Sequence, residues 1–292
     1  MTNIKTISIF TIILLIFMTS YSCKKKESKK EPKVNANTTL TITKEIKDLL
    51  YIKGDESSNI VIVNAQGGPM LELASSEFDD ILKDVNTDNI LCVNVHQAQT
   101  QSPNLFSSSD ITFDEAKTYD STTINNIYKV VKYFKDQERK VYVLGISFGS
   151  FVTQELIAQK GIDVADRYLI MVGRLDINDI FWQGFSQGKA GYFDNGITPV
   201  IIDQTDITDK NMCKLAAGLG FNRYTQVLNK YTDLSKITYI YGQTDDAVGK
   251  LTDAEIQFLQ SKNAKIISGP GTHSQTIDNY IVKGFKEAFG IE

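Results

Sequence analysis

Histidine is scarce in this chain, with only His96 and His273 among 292 residues. That scarcity, with three cysteines and no ligand-spaced cluster, argues against a metal centre. No apolar run is long enough to cross a bilayer. The run from Ile7 to Met18 covers about 12 residues, against roughly 20 for a spanning helix. An excess of positive charge is lacking too. The net charge is −4, and removing residues 1–22 takes away only Lys5, which leaves −5. Such a balance gives no footprint for nucleic acid. No internal repeat or second linker interrupts the chain after about Thr39. The roughly 250 residues that follow are enough for one large domain.

The amino terminus does hold a pattern. Lys5, the apolar run and the small or polar residues up to Cys23 read as the three zones of a secretory signal. "MTSYSCKKK" is similar to the cleavage box of bacterial lipoproteins, in which the cysteine becomes the acylated first residue; Tyr21 departs from the small residue usual there. The resemblance implies a lipoprotein signal peptide at residues 1–22, lipidation of Cys23, and a membrane-anchored protein outside the cytoplasm, periplasmic or at the cell surface. Plain secretion is the alternative. "KKKESKKEPKVNANTT" then brings six lysines and no aromatic residue. It cannot bury enough apolar surface to offset the entropy of ordering. Residues 23–38 are therefore expected to form a disordered tether, its lysines near anionic headgroups at about 1 kcal/mol each.

Beyond the tether, short apolar runs alternate with helical patterns. Residues 59–65, 89–95, 140–146, 167–173, 236–242 and 264–269 read as strands, several apolar throughout, as in strands covered on both faces. Helices are expected at "SEFDDILKDV", capped by Ser76, and at "STTINNIYKVVKYFKDQ", with Ile124, Ile127, Val131 and Phe134 on one face. "SFVTQELIAQKG", "DAEIQFLQSKN" and "TIDNYIVKGFKEAFG" complete the set. This alternation implies an α/β fold, with a mostly parallel sheet covered by helices on both faces. "TLTITKEI" and "DLLYIKG" could add antiparallel strands at one edge. Residues 174 to about 235 separate two strands by far more than a usual connection. Rich in aromatics, Trp182 among them, they read as an inserted lid. Cys92 lies in a strand pattern and reads as a buried thiol.

Gly145-Ile146-Ser147-Phe148-Gly149 falls where a strand pattern gives way to a helix pattern. A nucleophile at the tip of a sharp turn needs neighbours without side chains two positions before and after. The helix behind it points free N–H groups and its positive end at that spot. If Ser147 is the nucleophile, a base must follow, with an acid between. His273, in the glycine-rich "GPGTHSQ", is the histidine downstream of it. For the acid, "YGQTDDAVG" offers Asp245 and Asp246, and Asp176 stands after the preceding strand. An oxyanion hole needs backbone donors. Phe148 follows the serine, and "NAQGGPM" supplies a flexible loop after an earlier strand.

The elbow, acid loop and histidine loop look like those of the α/β-hydrolase superfamily over about residues 39–290. The spacing Gly242-x-x-Asp245-x-x-Val248 resembles its acid loop and selects Asp245. "GISFGS" and "QGGP" are most similar to the proline iminopeptidase-like branch, whose motifs read GGSWGS and HGGPG. By that resemblance Gly68 is the second oxyanion donor. Gln66 replaces the branch's histidine and Met70 its last glycine, and of its DQRG-type stretch only Gln97 matches. The resemblance implies an α/β-hydrolase fold with a lid, no cofactor, and hydrolysis of small ester or amide substrates through Ser147, His273 and Asp245. Gln66, His96, Gln97 and Trp182 are expected in the substrate pocket. A non-catalytic binding lipoprotein and an aminopeptidase of the proline iminopeptidase type are the alternatives.

Overall fold

The computed structural model describes residues 41–292; the expected signal peptide, Cys23 and the expected tether lie outside the described residues. The described chain opens with a helical turn, α1 (Lys44–Lys47), and strand β1 (Leu50–Gly54), then β2 (Ile60–Ala65), α2 (Ser75–Leu82) and β3 (Leu91–Val95). Next come α3 (Pro103–Ser108), the long α4 (Phe113–Lys135), β4 (Lys140–Ile146), α5 (Phe148–Lys160) and β5 (Arg167–Met171). An insertion carries α6 (Asp179–Ser186), β6 (Ala190–Asp194), β7 (Thr198–Ile202), α7 (Ile207–Gly220) and α8 (Tyr224–Val227). The chain closes with β8 (Ile237–Gly242), α9 (Asp253–Ser261), β9 (Lys265–Gly269) and α10 (His273–Phe289).

Seven strands form one sheet in the order β1-β3-β2-β4-β5-β8-β9. Only β1 is antiparallel, against β3; every other pairing is parallel. Alternation along each strand sends side chains to opposite faces, and both faces are dry. Val61, Val63, Val141 and Val143 point into a core with Ile124, Ile127, Val131 and Phe134 of α4, Leu156 and Ile157 of α5 and Leu259 of α9. Ile62, Cys92, Leu144 and Leu169 point the other way, against Phe78 and Leu82 of α2 and Ile281 and Phe285 of α10. Strands buried on two sides are why the sequence shows continuous apolar runs there.

Local departures from the expectations have physical causes. "DLLYIKG" is the edge strand, but its expected partner is none: within residues 41–49 lies only the turn α1. Ile42, Ile46 and Leu49 are buried at a spacing of four and three, a helical rather than an alternating pattern. Ser76 is no cap, because α2 begins a residue earlier and Ala74 takes the cap position without a side-chain bond. The insertion, read as an aromatic, partly helical segment, also holds an antiparallel β6–β7 hairpin. Its root is pinned by a buried ion pair, Arg174 Nε to Glu255 Oε1 at 3.0 Å. The same carboxylate oxygen accepts the N–H groups of Leu175 and Asp176, each at 2.9 Å. Cys92 and Cys213 are both buried and unpaired. Burial pushes the Cys92 thiol up to about 12, which keeps it from acting as a thiolate near neutral pH.

Candidate active site

Ser147 closes β4 and opens α5 with φ 55° and ψ −120°, a sharp reversal that aims its side chain off the carboxyl end of the sheet. The flanking glycines are fixed by contact. A Cβ on Gly149 would stand 1.8 Å from the Ala65 carbonyl oxygen, and one on Gly145 2.2 Å from Thr153 Oγ1. Helix α5 can approach β2 and β4 this closely only without those side chains. Phe148 is the first helical residue, so its N–H has no partner inside the helix.

The loop after β2 reaches the same point. A Cβ built on Gly67 would lie 3.7 Å from Ser147 Cβ. Gln97 grips this loop from behind: its Nε2 donates to the carbonyls of Gln66 at 2.9 Å and Gly67 at 3.0 Å. In a planar trans peptide, C=O and the next N–H point in opposite directions. Holding those two carbonyls therefore turns the N–H groups of Gly67 and Gly68 away from Gln97. Gly68 itself sits at φ +105°, with Met70 N 2.6 Å from where a Cβ would be.

His273 begins α10, and its Nδ1 lies 2.9 and 3.0 Å from the two carboxylate oxygens of Asp245. Asp245 is 1% exposed, and its Oδ1 also accepts the N–H groups of Ala247 and Val248, both at 3.0 Å. Those bonds hold the carboxylate in place before the imidazole meets it. The neighbouring Asp246 is exposed and accepts the His273 backbone N–H at 3.0 Å, so it starts the helix that carries the histidine. Asp176 spends its carboxylate on Thr225 instead. Ser147 and His273 line one cavity together, and among the described residues the Ser147 hydroxyl has no hydrogen-bond partner.

Two cavities meet at Ser147. A groove of about 460 Å³ runs between α2 and α10, walled by Gly67, Gly68, Ser147 and His273 at one end. A chamber of about 180 Å³ lies under the insertion, shares Gly68 and Ser147 with the groove and adds Phe148. Its other walls are apolar, among them Phe151, Phe181, Trp182, Phe185 and Val248. Trp182 stands edge-on to Phe221 at 4.6 Å, with its indole N–H on Asp179.

The expected pocket residues separate into two groups. Trp182 lines the chamber and Gln66 the groove, although the Gln66 amide is occupied by Glu72, Ala74 and Asn94. His96 and Gln97 wall neither cavity. Gln97 is buried behind the glycine loop, and His96 bonds Thr100 Oγ1 at 2.7 Å, with desolvation lowering its pKa. Both were expected in the substrate pocket, in the stretch that resembles the DQRG-type segment. Gln97 sits one layer back, where it holds the loop that reaches the serine. Asp246's hold on the histidine backbone was legible only as an adjacent acid.

No protein-family profile and no curated protein sequence matches this chain. Solved structures do. An α/β-hydrolase enzyme from a Medee basin deep-sea metagenome library superposes with a TM-score of 0.54 at 15% identity, over 82% of this chain and 93% of that one. An esterase from Exiguobacterium antarcticum gives 0.51 at 12%, over 82% and 93%. A chain from work on LipS and LipT, two metagenome-derived lipolytic enzymes, gives 0.50 at 9%, over 80% and 94%. With the sheet order and the helices on both faces, these likenesses establish that the chain has the α/β-hydrolase fold.

Proposed function

We propose that the protein is a serine hydrolase of carboxylic esters or amides, working through an acyl-enzyme. The observation that carries this reading is His273, held by a buried carboxylate in the cavity that Ser147 enters from a strained turn. With Asp245 accepting the Nδ1 proton, Nε2 is left as the base. It takes the Ser147 proton as Oγ bonds to the carbonyl carbon, and returns it to the departing alcohol or amine as the old bond breaks. Water then repeats the sequence on the acyl-enzyme, releasing the acid and restoring the serine. The Gly68 and Phe148 N–H groups stabilise the oxyanion, each at about 3 kcal/mol.

The chamber's small size and apolar walls, Phe151, Phe181, Trp182 and Phe185 among them, suit a short acyl group. No carboxylate stands among the chamber's walls to hold a substrate ammonium. This favours an esterase or amidase over an aminopeptidase of the proline iminopeptidase type. In this reading the insertion acts as a lid, and lipidated Cys23 with its lysine tether keeps the domain at a membrane outside the cytoplasm. A fluorophosphonate probe tests the chemistry. The wild type should label while Ser147→Ala and His273→Ala do not; a folded, unlabelled wild type would move a non-catalytic binding role ahead.

A further inference from the structure

The two cavities differ in one decisive respect: His273 lines the groove and not the chamber. Given the reading above, the imidazole must reach the leaving atom to protonate it. The leaving group therefore lies in the groove and the acyl group in the chamber. The groove walls are acidic. Glu77, Asp80 and Asp84 from the α2 side face Asp278 of α10, with Lys83 as the one basic counterpart besides His273. Among the described residues none of these four carboxylates is in an ion pair.

A second observation points the same way. Asn64, at the end of β2, is 2% exposed and lines this groove. Its Nδ2 donates to Asn94, but its Oδ1 accepts no hydrogen bond among the described residues. A buried acceptor left open costs stability unless something donates to it. The acidic walls and the open acceptor are matched by a positively charged, donor-bearing group.

We propose that the groove is a leaving-group subsite for a cation: the substrate is an ester or amide of a short acyl group whose departing alcohol or amine carries an ammonium. The bond changes are those of the acyl-enzyme sequence above, and the released group is a neutral hydroxyl or amine with its ammonium intact. The inference rests on the hydrolase reading.

The test compares the full chain's kcat/KM for 2-(dimethylamino)ethyl butyrate, whose protonated amine carries one N–H donor, and for 3-methylbutyl butyrate, which replaces the charged nitrogen with carbon. The charged ester should be favoured about tenfold at low salt. The ratio should shrink at about 1 M salt, where the screening length is about 3 Å. Asp80→Asn and Asp278→Asn should each lower it about threefold, the scale of an exposed charge pair. A ratio near one with Ser147 still labelled by the fluorophosphonate overturns the cation subsite and leaves the hydrolase reading standing. A preference for a charge on the acyl side, measured with aminoacyl p-nitroanilides, overturns the assigned direction. If Ser147 neither labels nor turns over any ester, the hydrolase reading falls and the subsite with it.

Discussion

Replacing Asp245 by Asn tests the proposed machinery atom by atom. Asp245 Oδ1 accepts two backbone N–H groups, from Ala247 and Val248, each at 3.0 Å. Those donors do not move, so the single amide oxygen of Asn must take the Oδ1 place. The amide NH₂ then falls at the Oδ2 place, 2.9 Å from His273 Nδ1. An NH₂ there donates, so Nδ1 must accept and the ring proton moves to Nε2. The imidazole can no longer take the Ser147 proton. The expected loss is about 10³- to 10⁴-fold in kcat/KM, the cost of a wrong tautomer in such a triad, or about 4–5 kcal/mol of barrier. Thermal unfolding should move little, because both loop hydrogen bonds survive. Asp245→Ala should differ: the buried N–H groups of Ala247 and Val248 lose their acceptor, at about 1–3 kcal/mol each. The assays are p-nitrophenyl butyrate hydrolysis, the fluorophosphonate labelling rate and a melting curve for each variant. Activity in Asp245→Asn within about tenfold of the wild type would refute the tautomer argument. So would an equal loss in Asp176→Asn, whose carboxylate serves Thr225.

Other consequences follow from single contacts. Gly149→Ala places a Cβ 1.8 Å from the Ala65 carbonyl oxygen, so the melting temperature should fall by an amount reflecting about 3 kcal/mol of overpacking and labelling of Ser147 should be lost; a stable, labelled variant would contradict the packing argument. Trp182→Ala should enlarge the chamber and move preference towards longer acyl chains, by up to about fourfold for each methylene admitted, as read from kcat/KM across p-nitrophenyl esters. Asp120, buried on α4 with Oδ2 unpartnered, has its pKa raised well above 3.8, first by desolvation and then by the charge of Glu155. A carboxyl raised in this way contributes stability below about pH 3.8 that is lost as pH rises through its folded value. Unfolding free energy of the wild type should therefore decline relative to Asp120→Asn as pH increases above about 4; parallel pH curves would sink this account.

The regular elements were legible because local physics fixes them. Strands covered on two faces must be apolar throughout, and the run "KVYVLGI" begins and ends where β4 does. The glycines around Ser147 are demanded by backbone approaches shorter than any side chain permits, so the elbow could be read without its partners. With one histidine after the serine, the placement of His273 followed from scarcity. Other features could not be read in this way. The hairpin β6–β7 carries Pro199 and Gly191 in short strands, with little pattern to see.

Composition and spacing determined the α/β architecture, the turn at Ser147 and the loops that face it. Tertiary structure alone decided what those loops do to one another. Gln97, 31 positions from Gln66, clamps that residue's carbonyl and so orients the donors beside the serine. Glu255 holds the root of an insertion some 80 positions earlier in the chain. The division of the site into an apolar chamber and an acidic groove depends on which helices the sheet order brings together, and α2 and α10 both line that groove. Contacts between residues distant in sequence leave no periodic trace, because each is satisfied by a partner whose position the chain fixes only once it has folded.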